Sequence, residues 1–130
     1  MLAPSPFDAL AETYDADFTA SAIGRMQRSR VWFFLTPILN KAGRSLKILE
    51  INCGTGDDAI KMAAMGHTIT ATDASASMIQ KAKEKMNRSS NPSAVEFIIC
   101  PFDQLENVFA YEKFDLVFSN FGGLNCIDKI

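Results

Sequence analysis

The sequence predicts an open α/β fold built on a parallel sheet, and three observations carry that expectation. Beyond Gly43, four short apolar runs, each bounded by turn residues, alternate with stretches of helical character, as parallel strands joined by crossover helices do. The first run passes into a turn containing two glycines, Gly54 and Gly56, and then directly into a helix. The chain has 130 residues, 48% of them hydrophobic and 22% charged, which suits one globular domain with a core of its own.

Taken in order, Ser5 and Pro6 form a helix start, with Phe7, Leu10 and Ala11 on one face of a short helix that flanks or lids the domain. The polar stretch from Tyr14 to Ser21 leads into a second helix. Ile23, Met26, Val31, Phe34, Leu35 and Ile38 supply its apolar positions, and Pro37 is expected to bend or shorten it. Gly43 stands where a helix end wants a left-handed residue, with Lys41 and Arg44 near the negative end of the dipole. Residues 1–44 are thus a helical segment and 45–130 the α/β core, together one domain.

Within the core, Lys47 to Ile51 reads as strand one and Asp57 to Met65 as a helix closed by Gly66. His67 to Thr72 is strand two. Ser75 caps a helix that buries Met78, Ile79, Ala82 and Met86 and turns Lys81, Lys83, Glu84 and Lys85 to water. Val95 to Ile99 is strand three, Asp103 to Tyr111 a weakly patterned helix, and Phe114 to Phe118 strand four.

Open α/β sheets bind ligands beyond the carboxyl ends of their strands. Here those ends are Ile51 to Gly56, Asp73, Cys100 to Asp103, and Ser119 to Asn125. The first carries the strongest chemistry. Glycines let backbone approach a ligand, and Asp73, 19 residues after Gly54 at the end of the next strand, stands where a carboxylate accepts both hydroxyls of an adenosine ribose. Gly54-Thr55-Gly56-Asp57-Asp58-Ala59 also satisfies the dinucleotide fingerprint, but Asp57 and Asp58 place two negative charges where a pyrophosphate would sit. A ligand with an amine and a sulfonium and no phosphates escapes that penalty.

These residues resemble the class I S-adenosylmethionine-dependent methyltransferases, in particular their small-molecule branch. Leu49 to Gly56 (LEINCGTG) resembles the family's first motif, Ala71 to Met78 its second, and Phe114 to Asn120 (FDLVFSN) its fourth, while Ala11 to Asp15 resembles its A-x-x-YD lead-in. The resemblance implies a Rossmann-like sheet in the strand order 3-2-1-4, the N-terminal half of a seven-stranded fold. It further implies that Glu50 holds the glycine turn and helps place the methionine amine, and that Asp73 binds the ribose. The backbone of Gly54 and Gly56 would run beside the methionine portion, Asn52 and Cys53 of the same turn would be among the cofactor-binding residues, and Ala74 and Met78 would border the adenosine. Ser119, Asn120 and Phe121 would meet the reacting end, and Tyr14 would close the pocket.

The sequence departs from the family at two places. Asn52 replaces the first glycine of the motif; asparagine tolerates left-handed φ best among the other residues, so the turn survives with a side chain intruding on the pocket, and a glycine there is expected to keep or raise cofactor affinity. After strand three, where the family commonly has an Asp for the adenine amine, Phe102 offers a stacking face and Asp103 a displaced acceptor.

The implied activity is methyl transfer from S-adenosylmethionine to a small-molecule acceptor; a noncatalytic cofactor-binding or oligomerising module and an NAD-dependent oxidoreductase remain as alternatives. With 13 Lys and Arg against 15 Asp and Glu, the net charge of -2 argues against nucleic acid as a partner. No secretory leader or membrane-spanning run is evident, so the chain reads as cytoplasmic, with no membrane partner. Cys53, Cys100 and Cys126 match no disulfide or zinc pattern, and no metal is expected. His67 reads as structural, Trp32, Phe33 and Phe34 as helix-to-sheet packing, and Arg25, Arg28 and Arg30 as a solvated face. Strand four would offer an unpaired edge, so association into a homo-oligomer through strand four and Phe121 to Ile130 is expected unless a longer parent chain supplies strand five.

Overall fold

A computed structural model describes residues 22–89 and 92–119. The long helix α1 (Ala22–Lys41) leads into strand β1 (Lys47–Ile51), helix α2 (Asp57–Ala64), strand β2 (Thr68–Asp73), helix α3 (Ala76–Asn87), strand β3 (Val95–Ile99), a single turn α4 (Leu105–Val108) and strand β4 (Leu116–Ser119). All pairings are parallel, and the sheet order is β3-β2-β1-β4, as the resemblance implies. Register aligns the strand ends: Ile51 lies beside Thr72 on one side and Ser119 on the other, and Asp73 lies beside Ile99. The carboxyl ends of all four strands therefore open onto one edge.

Sheet and helices close over a core that includes Ile48, Met62, Ile69, Ala71, Ile79, Ala82 and Phe97, all buried. The predicted face of α3 is the buried one, and Ser75 Oγ caps the helix by accepting from the Met78 N–H at 3.2 Å. His67 is structural as read: its Nδ1 accepts the Leu46 N–H at 3.0 Å, tying the entrance of β1 to that of β2.

Three elements differ from expectation. Helix α1 continues through Pro37 without a break, and its buried stripe is Trp32, Leu35 and Leu39. Met26, Phe33, Phe34 and Ile38 are exposed, Phe33 by 75% and Phe34 by 62%. The indole N–H favours this rotation, because Trp32 Nε1 donates to Asp58 Oδ1 at 2.7 Å in a buried position. Strand β4 begins at Leu116 rather than Phe114. Asp115 is spent at the entrance, donating its N–H to the Lys47 carbonyl at 2.7 Å while its carboxylate accepts the Lys47 N–H at 2.8 Å and meets Arg44 at 3.1 Å. The Arg44 guanidinium and the Lys47 N–H hold that carboxyl below its ordinary range. The expected helix from Asp103 to Tyr111 is reduced to a 3-10 turn (Phe102–Gln104) followed by α4. Among the described residues β4 has β1 as its neighbour, and Val117 is 55% exposed.

Gly56 takes φ +85°, and a Cβ there would lie 2.9 Å from the Phe97 ring and 3.0 Å from Ala82. The second glycine of the turn is thus demanded by packing of the turn onto β3 and α3 as well as by its backbone angle. Gly56→Ala is expected to cost about 2–4 kcal/mol, from left-handed strain and overpacking together. A urea midpoint that falls with an unchanged m-value would show it; an unchanged midpoint would mean that Phe97 yields freely.

Candidate functional site

The site grows from the end of β1. Asn52 has φ +56°, the left-handed conformation expected of it, and Gly54 follows at +57°. Left-handed residues on either side of Cys53 reverse the chain tightly enough for the Gly56 N–H to donate to the Cys53 carbonyl at 3.0 Å and start α2. The Cys53 N–H donates to the Thr72 carbonyl at 2.9 Å, so the turn is fixed to β2 as it leaves the sheet.

Asp73 completes that attachment. One carboxylate oxygen accepts the Gly54 N–H and the other the Ser75 N–H, each at 2.9 Å, and the residue is buried. An ionised carboxylate offers about four lone-pair directions, more than the two that these backbone bonds use. Its main-chain carbonyl accepts the Cys100 N–H at 2.8 Å, which brings β3 to the same edge.

Glu50 lies one strand position before the turn and is 1% exposed, with its Oε1 buried and unpartnered. Burial raises its carboxyl well above the ordinary range; Asp58, Asp73 and Asp57 push the same way, and Arg28 opposes them. The Asn52 Nδ2 is a second buried polar atom without a partner. Orphaned groups of this kind cost roughly 1–3 kcal/mol each, more when charged, unless a ligand completes them.

The first turn of α2 is held from outside by two cations that sequence reasoning turned to solvent. Arg28 lies 3.4 Å from Asp57 and 3.2 Å from Asp58, and Lys85 reaches Asp57 at 2.9 Å and the Thr55 hydroxyl at 2.8 Å. Arg28, Trp32, Thr55 and Lys85 are therefore part of the site's support. Arg28 and Trp32, one helical turn apart and so on one face of α1, were the available signal, because a buried indole and a guanidinium on one face ask for carboxylates opposite. Asp57 and Asp58 are consequently balanced, and the charge objection to a pyrophosphate is weaker than the sequence suggested. Another replaces it: both cations beside the turn are engaged by carboxylates.

The other predicted residues fall around this centre. Ala74 is half-buried next to Asp73, whereas Met78 is 1% exposed and packs in the interior. Cys53 is buried, its S–H directed at the Gly54 carbonyl, and burial with Glu50 and Asp73 nearby pushes its thiol well up, which leaves it unreactive. Cys100 is also a free, buried thiol. Phe102 is half-buried and Asp103 exposed on the turn after β3, and Ser119 ends β4 on the same edge. Tyr14, Asn120 and Phe121, the lead-in Ala11 to Asp15, the helix from Ser5, the side chains of Ile23 and Arg25, Cys126, and the segment Phe121 to Ile130 all lie outside the described residues. No group of metal-ligating side chains is found among the described residues, and no described helix is long and apolar enough to cross a membrane.

Comparison with known proteins agrees with this geometry. Residues 48–129 match the family described as the methyltransferase domain. The chain is 32% identical over 95 residues to the tRNA 5-carboxymethoxyuridine methyltransferase of Escherichia coli, covering 72% of this chain and 36% of that protein. It is 30% identical over 126 residues to the ubiquinone/menaquinone biosynthesis C-methyltransferase of Geotalea daltonii, covering 95% of this chain and 52% of that protein. It thus spans about half or less of the length of these relatives. Magnesium protoporphyrin IX methyltransferase from Synechocystis, solved with bound S-adenosylhomocysteine, shares the fold with a TM-score of 0.63 at 17% identity, over 87% of this chain and 54% of that one. The chain belongs to the class I S-adenosylmethionine-dependent methyltransferases.

Proposed function

We propose that this chain binds S-adenosylmethionine at the edge formed by β1 and β2 and serves methyl transfer to a small-molecule acceptor. The observation that carries the reading is the Asp73 carboxylate, fixed by two backbone N–H groups beside a left-handed glycine turn at the end of β2, where a ribose diol would meet it. The donor set suits the cofactor. Glu50 supplies a buried acceptor for an ammonium, Asp73 acceptors for the ribose, and Phe102 an aromatic face for adenine. When bound, S-adenosylmethionine supplies a methyl on a sulfonium sulfur for displacement by the acceptor's nucleophile. The residues described here bind and orient; proximity and alignment are the means by which such a site accelerates transfer.

Two points support a small acceptor: the net charge of -2, and the extent of the likeness to a quinone C-methyltransferase, which covers 95% of this chain. Transfer to a tRNA nucleoside is the second reading, favoured by the Escherichia coli relative. Following labelled methyl from S-adenosylmethionine into a demethylmenaquinone-type quinol and into bulk tRNA separates them. Label in the tRNA alone would remove the small-molecule reading.

Calorimetric titration tests the cofactor site itself. S-adenosylhomocysteine is expected to bind and NAD not to bind, and tighter binding of NAD would refute the assignment. Asp73→Ala should weaken S-adenosylhomocysteine by about 1.5–3 kcal/mol, or roughly tenfold to more than a hundredfold, through loss of a charge-assisted acceptor. An unaltered affinity would reduce Asp73 to a brace for the turn.

Glu50 gives a pH-dependent prediction. Its carboxyl is raised on folding, so the ligand-free folded state binds the proton more tightly than the unfolded chain. Stability from this group accordingly grows as pH falls through the folded-state value and declines as pH rises. Glu50→Gln should be more stable than the parent without ligand, by a margin that widens as pH rises above the ordinary carboxylate range, while binding S-adenosylhomocysteine more weakly. A melting-temperature difference that stays constant with pH would show that Glu50 does not titrate in this way.

A further inference from the structure

Asn52 stands where the resembled family has glycine, and the expectation from sequence was an obstruction. The structure changes its meaning. The backbone takes φ +56° there, while the amide Nδ2 is buried without a partner. A side chain that merely intruded could turn its amide to water or to a neighbouring carbonyl. Instead a donor is held inside the protein at the mouth of the glycine turn. Two residues earlier, Glu50 holds an acceptor, Oε1, in the same condition, and that residue is 1% exposed. Although the two residues are separated only by Ile51, these atoms do not bond each other.

An unpartnered carboxyl acceptor and an unpartnered neutral donor, two residues apart at the start of the turn, complement a group carrying an ammonium and a carboxylate on one carbon. An α-amino acid has that pattern: the ammonium donates to Glu50 and the carboxylate accepts from Asn52. Asp73 lies on the far side of the turn, tied to Gly54, and serves the nucleoside end. We infer that Asn52 is a specificity-determining residue whose amide donates to the carboxylate of the cofactor's amino-acid end, so that with Glu50 it selects ligands bearing an intact α-amino acid. The assignment rests on the cofactor reading above and reverses the effect expected for a glycine at this position.

Titration of the chain with S-adenosylhomocysteine and with 5′-methylthioadenosine, which keeps the adenosine and thioether and lacks the amino-acid end, tests it. Asn52→Gly suits the positive φ and removes the amide. It is expected to lose about tenfold or more in affinity for S-adenosylhomocysteine and to keep its affinity for 5′-methylthioadenosine within about twofold. Asn52→Asp, which sets a carboxylate against a carboxylate, should lose more on the first ligand and as little on the second. An unchanged or raised affinity of Asn52→Gly for S-adenosylhomocysteine, or equal losses for the two ligands, overturns the assignment and leaves the cofactor site standing. Binding of neither ligand to the parent chain overturns the cofactor reading and this inference with it.

Discussion

The carboxylate of Asp73 is the constraint on which the rest of the site depends. It accepts the N–H of Gly54 from the turn after β1 and the N–H of Ser75 from the start of α3, so one side chain joins the ends of two neighbouring strands. Ser75 in turn caps α3, which packs against β3 and supplies Ala82 beneath Gly56. Left-handed residues at the turn would otherwise sample many conformations, and a carboxylate bonded to their backbone removes that freedom before a ligand arrives. Preorganisation of this kind lets binding energy go into alignment rather than into ordering a loop.

A second layer holds the turn by charge. Asp57 and Asp58 begin α2, where the helix dipole favours them, and Arg28 and Lys85 grip them from α1 and α3. Partly buried ion pairs repay their desolvation poorly, so their value here is geometric: they press two helices onto the one segment whose backbone must not move. Arg28 has an added electrostatic effect, since its positive charge partly offsets the burial and the three aspartates that raise the Glu50 carboxyl. A helix outside the α/β core thereby influences the protonation of a residue inside the ligand site.

The parts of this structure that were legible in the sequence are those fixed by local backbone chemistry. Strands β1 and β3, the Ser75 cap, the face of α3 and the left-handed Asn52 all follow from short-range patterns that few tertiary contacts could override. The sheet order was legible only through resemblance, because nothing in four apolar runs says which lies beside which. What was missed was decided by polar side chains acting over distance. The face of α1 was misassigned because its apolar residues are spread around the helix, and the choice fell to the bond from Trp32 to Asp58, 26 positions away. Lys85 was turned to water because its partners, Thr55 and Asp57, precede it by about 30 positions. Strand β4 was begun two residues early because Phe114 and Asp115 look like strand, and only the Lys47 and Arg44 contacts show that Asp115 is an entry clamp.

The distribution of satisfied and unsatisfied groups separates scaffold from site more sharply than burial does. The carboxylates that brace the turn and the sheet entrance all have partners: Asp58 has Trp32 and Arg28, Asp57 has Arg28 and Lys85, and Asp115 has Arg44 and the Lys47 N–H. Glu50 and Asn52, by contrast, bury polar atoms that nothing in the described protein completes. Folding would favour replacing such groups with apolar or bonded ones, since each lowers the stability of the empty protein. Their presence at the one edge where all strand ends meet is therefore hard to assign to the fold, and it marks where the protein gives up stability for recognition. One orphan is an acceptor and the other a donor, and both stand at the start of the turn, whereas Asp73, bonded to the Gly54 and Ser75 N–H groups, stands across it. Under the proposed reading, that asymmetry gives the site a direction, charged amino-acid chemistry on one side of the turn and ribose on the other.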